Sequence, residues 1–272
     1  MKKRVQIMII GILAFALTGC GSVEEPEIGI VTEVTQPVET VETTVPPVET
    51  AAAAQTTESA ALHSPLYIEG VSPEQMVEYF CEVVLDTEYS TGAGDATMVQ
   101  KWTAPIRYRI YGDATQEDFQ LLERFFAELN AVDGFPGIYP VEEGEAEDLY
   151  MTFCDLEEFN IAFGDFLNHE VADGAVQYWY YNDTNEIYSA RIGYRLDIDQ
   201  YTRNSVLLEE VFNGLGISDT ILREDSISYQ GFGQVQELSE VDWLILKLLY
   251  HPEIRCGMGK DTCAEVIRRL YY

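Results

Sequence analysis

Between Gly21 and Ala61 the chain contains no aromatic residue, no lysine or arginine and no cysteine. It is built mainly of Thr, Val, Glu, Pro and Ala, as in Thr35-Gln36-Pro37-Val38-Glu39-Thr40. Such a stretch has too little apolar surface to offset the entropy lost on ordering, and its prolines and like charges keep it extended. Any core must therefore be built by the residues C-terminal to it. The chain is read as a leader at 1–19, a linker at 20–63 and one domain at 64–272. At about 3 Å per residue the linker reaches on the order of 100 Å. Its threonines also suit O-glycosylation. No repeat of fixed period is present, so the remainder is one domain rather than an array.

Composition limits what that domain can meet. Apolar residues make up 47% of the 272, which excludes a wholly disordered protein. Asp and Glu number 47 against 16 Lys and Arg, a formal net charge of −31. A phosphate backbone demands a basic face, so nucleic acid is excluded as a partner, and charge-driven docking onto anionic lipid is disfavoured. The expected state is a monomer.

The leader supplies an address. Met1-Lys2-Lys3-Arg4 precedes an apolar run from Val5 to Leu17, broken at Gln6, and then Thr18, Gly19 and Cys20. A basic start, an apolar core too short to span comfortably and small residues at the end make a secretory signal peptide. Leu17-Thr18-Gly19-Cys20 resembles the bacterial lipobox. That resemblance implies cleavage before Cys20 and a diacylglyceryl group on its sulfur. Membrane lipid would then hold the chain through Cys20 on the extracytoplasmic face of a bacterial cell membrane. A thiol is the side chain nucleophilic enough for such a transfer. Loss of Lys2, Lys3 and Arg4 leaves the mature chain more acidic still, and the positive end stays in the cytoplasm.

The domain reads as α+β, a small sheet with helices set against it. Ser72-Pro73-Glu74-Gln75 starts a helix with a cap, and Met76, Val77, Phe80, Val83 and Val84 form its apolar face. Trp102 to Tyr111 alternates like a strand. Thr115 caps a helix with the stripe Phe119, Leu122, Phe126 and Leu129, ended by Asp133-Gly134. Leu149 to Phe153 is a short strand, and Asp155 caps a brief helix. Tyr178–Tyr181 and Ile187–Leu196 make a hairpin through Asn182-Asp183-Thr184-Asn185. Thr202 opens a helix to about Asn213, Ser239 opens another that stops before Pro252, and Asp261 begins the last.

Ser205 to Asp219 carries the candidate chemistry. Leu207, Leu208, Val211, Phe212 and Leu215 form one stripe, while Glu209 and Asn213, one turn apart, share the opposite face, read as a solvated one. Gly214 and Gly216 end the helix. The pattern resembles a metzincin zinc helix, H-E-x-x-H-x-x-G-x-x-H, stripped of its histidines. Laid on that motif, Glu209 stands at the first ligand position, Glu210 at the general base and Asn213 at the second ligand. Gly216 matches the turn glycine and Asp219 the third ligand. Ser226-Ile227-Ser228-Tyr229 resembles the Met-turn, with Ser228 in place of the methionine. Leu238-Ser239 to Tyr250 resembles the final helix. The stretch from Lys101 to Tyr272 looks like the bacterial domain of unknown function 2927, a family of zincin-like secreted proteins.

The departures from that motif matter. A catalytic zinc wants imidazole among three protein ligands, and the only histidines are His63, His169 and His251. Hard oxygens from Glu209 and Asp219 would suit calcium or magnesium better than zinc. No cofactor is therefore expected.

The cysteines beyond the anchor are Cys81, Cys154, Cys256 and Cys263. Cys256 with Cys263 around a Gly-rich turn, and Cys81 with Cys154, form one reading; four buried thiols form the other. Tyr178-Trp179-Tyr180-Tyr181, with Tyr188, Tyr194 and Tyr201, is either an aromatic platform for glycan or peptide or simply a well-packed strand. No G-x-S-x-G, Walker loop or Rossmann glycine pattern is present. The expected role is non-catalytic, binding a protein or an envelope polymer in the cleft beside the Glu209–Asn213 helix. The alternative is a peptidase or amidase, metal-dependent or not, with Glu210 as general base.

Overall fold

The computed structural model describes residues 5–11 as backbone, and residues 64–85, 98–142, 144–164, 172–230 and 235–271 with their side chains. Cys20, the linker, His63 and His169 lie outside the described residues. The elements are β1 (Val5–Gly11), α1 (Pro73–Val84), β2 (Lys101–Trp102), β3 (Ile106–Gly112), α2 (Gln116–Asn130), β4 (Ile138–Pro140), β5 (Leu149–Cys154), α3 (Leu156–Phe163), β6 (Gly174–Tyr181), β7 (Glu186–Arg195), α4 (Gln200–Gly214), α5 (Glu240–Tyr250) and α6 (Lys260–Tyr271).

Local chemistry starts the helices. Ser72, Thr115, Asp155 and Ser239 each accept the backbone N–H three residues on, as N-caps do. For α4 the cap is Asp199 rather than Thr202. Asp199 Oδ1 accepts the Thr202 N–H at 3.0 Å and Oδ2 accepts the Thr202 hydroxyl at 2.7 Å, so one carboxylate serves both donors. In α2 the buried side is Leu122, Phe125, Phe126 and Leu129, and Phe119 is 41% exposed. Phe125 meets Trp243 of α5 edge-on, ring centroids 6.0 Å apart, and this neighbour rotates the stripe away from Phe119.

The fold is α+β, with a mostly parallel sheet. Strand order is β1-β6-β7-β5-β3-β4, with β2 added to β7. The pairs β7–β5, β5–β3, β3–β4 and β2–β7 are parallel, and β6 is antiparallel to both β7 and β1. Trp102 to Tyr111 is thus two strands. Pro105 cannot donate to a ladder, and the chain changes partner there.

Residues opposite one another across a ladder share a face. Tyr108, Leu149, Ala190 and Tyr178 look one way, and Arg109, Tyr150, Arg191 and Gln177 the other. The first face is the core side. Tyr108 meets Phe126 of α2 at 4.6 Å, and Gly214 of α4 faces Val176 and Ile192. Among the described residues the second face is covered by α3 alone, whose Phe159 and Phe163 pack with Cys154, Ala172 and Ala175.

β2 ties the sheet to two helix ends, where carbonyls lack intrahelical donors. Lys101 Nζ donates to Leu249 O at 2.7 Å and Ile254 O at 2.5 Å, and Trp102 Nε1 donates to Gly214 O at 2.9 Å. Burial lowers the Lys101 pKa.

All four described cysteines are free thiols, so Cys256 and Cys263 are not joined. Cys256 instead donates to Lys101 O at 3.7 Å. Burial pushes the Cys154 thiol up to about 11 and Cys263 up to about 12, Cys81 adding to the latter. Thiols so raised stay protonated and unreactive.

Candidate functional site

Helix α4 carries the residues that the motif singles out, and it has no solvated side there. Every residue from Ser205 to Asn213 is buried, with Glu209 at 6%, Glu210 at 0% and Asn213 at 0% exposure. The polar face thus meets protein rather than water. A third layer, residues 217–229, lies over it, a contact that helical spacing alone cannot reveal.

That layer is positioned link by link. The chain leaves α4 through Gly216 at φ +99°, where an added Cβ would overlap the carbonyl oxygen of Gln100. The Tyr250 hydroxyl donates to Leu215 O at 3.1 Å, completing the helix end with Trp102. Ser218 N and Oγ both donate to Val83 O of α1. Thr220 Oγ1 donates to Glu82 Oε2 at 2.6 Å. On the return, Asp242 in the first turn of α5 accepts from Ser226 Oγ at 2.7 Å and from Ile227 N at 3.0 Å.

These anchors bring four predicted positions together. Asn213 Nδ2 donates to Asp219 Oδ1 at 2.9 Å, and Ser228 Oγ donates to Asn213 Oδ1 at 2.8 Å. Glu209 lies one turn before Asn213. Burial drives the Glu209 carboxyl well above the ordinary range, and Asp219, Glu210 and Asp173 push the same way. Glu210 is raised likewise by burial and then by Asp219. Among the described residues neither Glu210 oxygen has a hydrogen-bond partner, and Oε1 lies 2.8 Å from where a Cβ on Gly174 would stand. Gly174, the first residue of β6, therefore makes room for Val206 and Glu210.

The donor set does not fit zinc. The cluster offers carboxyl and amide oxygens without imidazole, and both ends of the Asn213 amide are already bonded within the protein. His251 is the C-cap of α5, where its Nδ1 accepts from Glu253 N at 3.2 Å. Among the described residues no three His, Cys, Asp or Glu side chains converge as a metal-binding group.

The family model described as Protein of unknown function (DUF2927) matches residues 73–269. The chain belongs to the DUF2927 family. The DUF2927 unit opens at α1, before the Lys101 boundary expected from the sequence, because α1 is part of the site: its Glu82 and Val83 hold Thr220 and Ser218. No curated protein matches the chain.

Two features of the DUF2927 domain are not apparent from sequence patterning. One is the Asp242 clamp, for which the S-x-x-D capping signal at Ser239 is the available clue. The other is a cavity of about 940 Å³ beside α4, lined by Leu208, Phe125, Trp243, Arg124, Lys247 and His251 among others. Its walls come from α2, α4 and α5 and meet only in the tertiary fold.

Gly216→Ala should destabilise the domain by at least about 2 kcal/mol, since it combines a left-handed backbone with a clash against a main-chain oxygen. Urea denaturation reads this directly, and an unchanged midpoint would refute the turn's role.

Proposed function

We propose that this chain is an extracytoplasmic lipoprotein, tethered by membrane lipid through Cys20, whose zincin-like domain binds a protein or an envelope polymer without hydrolysing it. The observation that supports this reading is Glu210. A general base must be ionised and within reach of the proton it takes. The Glu210 carboxyl is wholly buried, has no hydrogen-bond partner among the described residues, and has its pKa pushed well above the ordinary range by burial and then by Asp219, which disfavours the ionised form. Asn213, bonded to Ser228 through its oxygen and to Asp219 through its nitrogen, fills the place of an open site. The zincin-like reading draws on the order helix, Gly216 turn, Asp219 and Ser228, with Asp219 and Ser228 both bonded to Asn213 of the helix. Binding would use the adjacent cavity, whose Trp243 and Phe125 supply apolar surface and whose Arg124 and Lys247 supply charge.

The second reading, a peptidase or amidase with Glu210 as base, draws on the position of Glu210 in α4 beside the Asn213–Asp219–Ser228 cluster and on its electrostatic interaction with Asp219. One set of measurements separates the two. In cells, Cys20→Ser should move the protein from the membrane to the soluble fraction. The purified chain should cleave no peptide or amide substrate in a manner lost in Glu210→Gln, with or without added zinc, calcium or magnesium. Retention on purified cell-wall sacculi should fall at least tenfold in Trp243→Ala. Turnover abolished by Glu210→Gln overturns the binding reading, and full membrane retention of Cys20→Ser overturns the anchor.

A further inference from the structure

The second face of the sheet holds a cleft on the far side from α4, and its chemistry is distinct. A parallel sheet normally has helices on both faces. Here α3 covers one end, and beyond it lies a cavity of about 520 Å³ lined by Tyr150, Thr152, Phe163, Trp179, Tyr188 and Arg191, among others. That volume is in the range of small-ligand sites. Tyr150 is 40% exposed, and Tyr181 stacks on Tyr188 at 4.4 Å along the β6–β7 hairpin.

Arg191 gives the cleft its polarity. Its Nε donates to Gln177 Oε1 at 2.8 Å, and its guanidinium lies 4.6 Å from the Phe163 ring centre and 6.0 Å from that of Trp179. The rings and Gln177 fix the plane of the fork. The buried arginines Arg195, Arg203 and Arg223 each hold a carboxylate. Half-buried Arg191 holds none among the described residues, in a chain carrying 47 of them. Its terminal amino groups have no hydrogen-bond partner there either. A planar, oriented, unneutralised guanidinium is matched by one bidentate carboxylate.

The flanking surface selects the rest of the ligand. Arg191 stands on β7, whose main-chain groups are used in the ladders with β6 and β5, so a peptide cannot add as a strand against it. What remains is aromatic planes around one fork, a surface for flat rings. We propose that this cleft binds a carboxylate-bearing sugar residue of a glycan, its carboxylate on Arg191 and its ring against Trp179 and Tyr150. The assignment is independent of what the cavity beside α4 binds.

Calorimetric titration of the purified chain with tri-galacturonate and with maltotriose tests it. The uronide should bind at least tenfold more tightly than the neutral sugar. Arg191→Gln should lower uronide affinity at least tenfold and leave maltotriose unchanged. Tyr150→Ala, at an exposed position and checked for folding by circular dichroism, should weaken both. Equal affinity for the two sugars, no binding of the uronide, or an Arg191→Gln variant that binds it as before overturns the proposal. Arg191-dependent binding of a carboxylate peptide without uronide binding overturns it too.

Discussion

Glu210→Gln should make the domain more stable at pH 8, not less, and reduce the steepness with which stability falls as pH rises. Most substitutions of a fully buried residue destabilise, so the sign is diagnostic. Among the described residues Glu210 has no hydrogen bond to lose, and Gln has nearly its shape. Its folded pKa lies well above the ordinary 4.5, so the folded chain keeps a proton that the unfolded chain releases. Stability then falls with pH, by about 1.4 kcal/mol per pH unit for each such group. The loss starts near pH 4.5 and continues until the raised folded value is passed. Glu209 acts in the same direction, driven first by burial and next by Asp219. The parent should therefore melt several degrees lower at pH 8 than at pH 5. Glu210→Gln should remove about half of that slope, and the Glu209→Gln, Glu210→Gln double variant most of it. Melts at pH 5 and pH 8 decide the matter. A parent whose stability rises over that interval, or a Glu210→Gln variant less stable at pH 8, would mean that Glu210 is ionised in the fold.

The same cluster shows where sequence reasoning succeeds and where it stops. Glu209, Glu210, Asn213, Gly216, Asp219 and Ser228 are singled out together by the resemblance of the stretch to a zinc-helix motif, and the turn after the helix leaves a local trace at Gly216. Gly216 needs φ +99°, and its spacing from Asn213 and Asp219 comes from helix and turn geometry. Their burial is illegible. Polar residues one turn apart look like a water-facing side unless a distant segment is known to cover them. That segment, 217–229, is held by Glu82, Val83 and Asp242, none of them close to α4 in the chain. Caps at Ser72, Thr115, Asp155 and Ser239 are legible since a cap is chemistry among four residues. The sheet order, the three-residue β4 and the rotation of the α2 stripe toward Trp243 depend on partners far along the chain. So does the choice between the two readings of Tyr178–Tyr181. Tyr178 and Tyr180 are buried on the core side as a packed strand requires, while Trp179 lines the cleft on the opposite face.

Asp242→Ala should be the most damaging single change in the domain, costing about 3–5 kcal/mol. Asp242 is 0% exposed and does three things at once. Its Oδ2 completes the α5 capping box by accepting from Ser239 N at 3.0 Å. Its two oxygens accept from Ser226 Oγ and Ile227 N, fixing the return of the 217–229 layer. It also pairs at 2.9 Å with the Arg223 guanidinium, which is itself 5% exposed. Truncation leaves that buried cation only the more distant Asp225 at 3.5 Å and the Ser239 hydroxyl, and leaves the Ile227 N–H without its acceptor, and an unmet buried group costs more than its bond contributed. Surface ion pairs such as Arg107–Asp148 differ. At 46% and 23% side-chain exposure, removal of that pair should change stability by less than about 1 kcal/mol. The origin of the Asp242 cost is separable. Arg223→Met in the Asp242→Ala background removes the stranded charge and should recover a substantial part of the loss, whereas additive destabilisation in urea melts would mean that the ion pair is not the dominant contribution. Releasing the layer also frees Ser228 from Asn213, so amide exchange at residues 226–228 should accelerate in Asp242→Ala under conditions where the α4 amides remain protected.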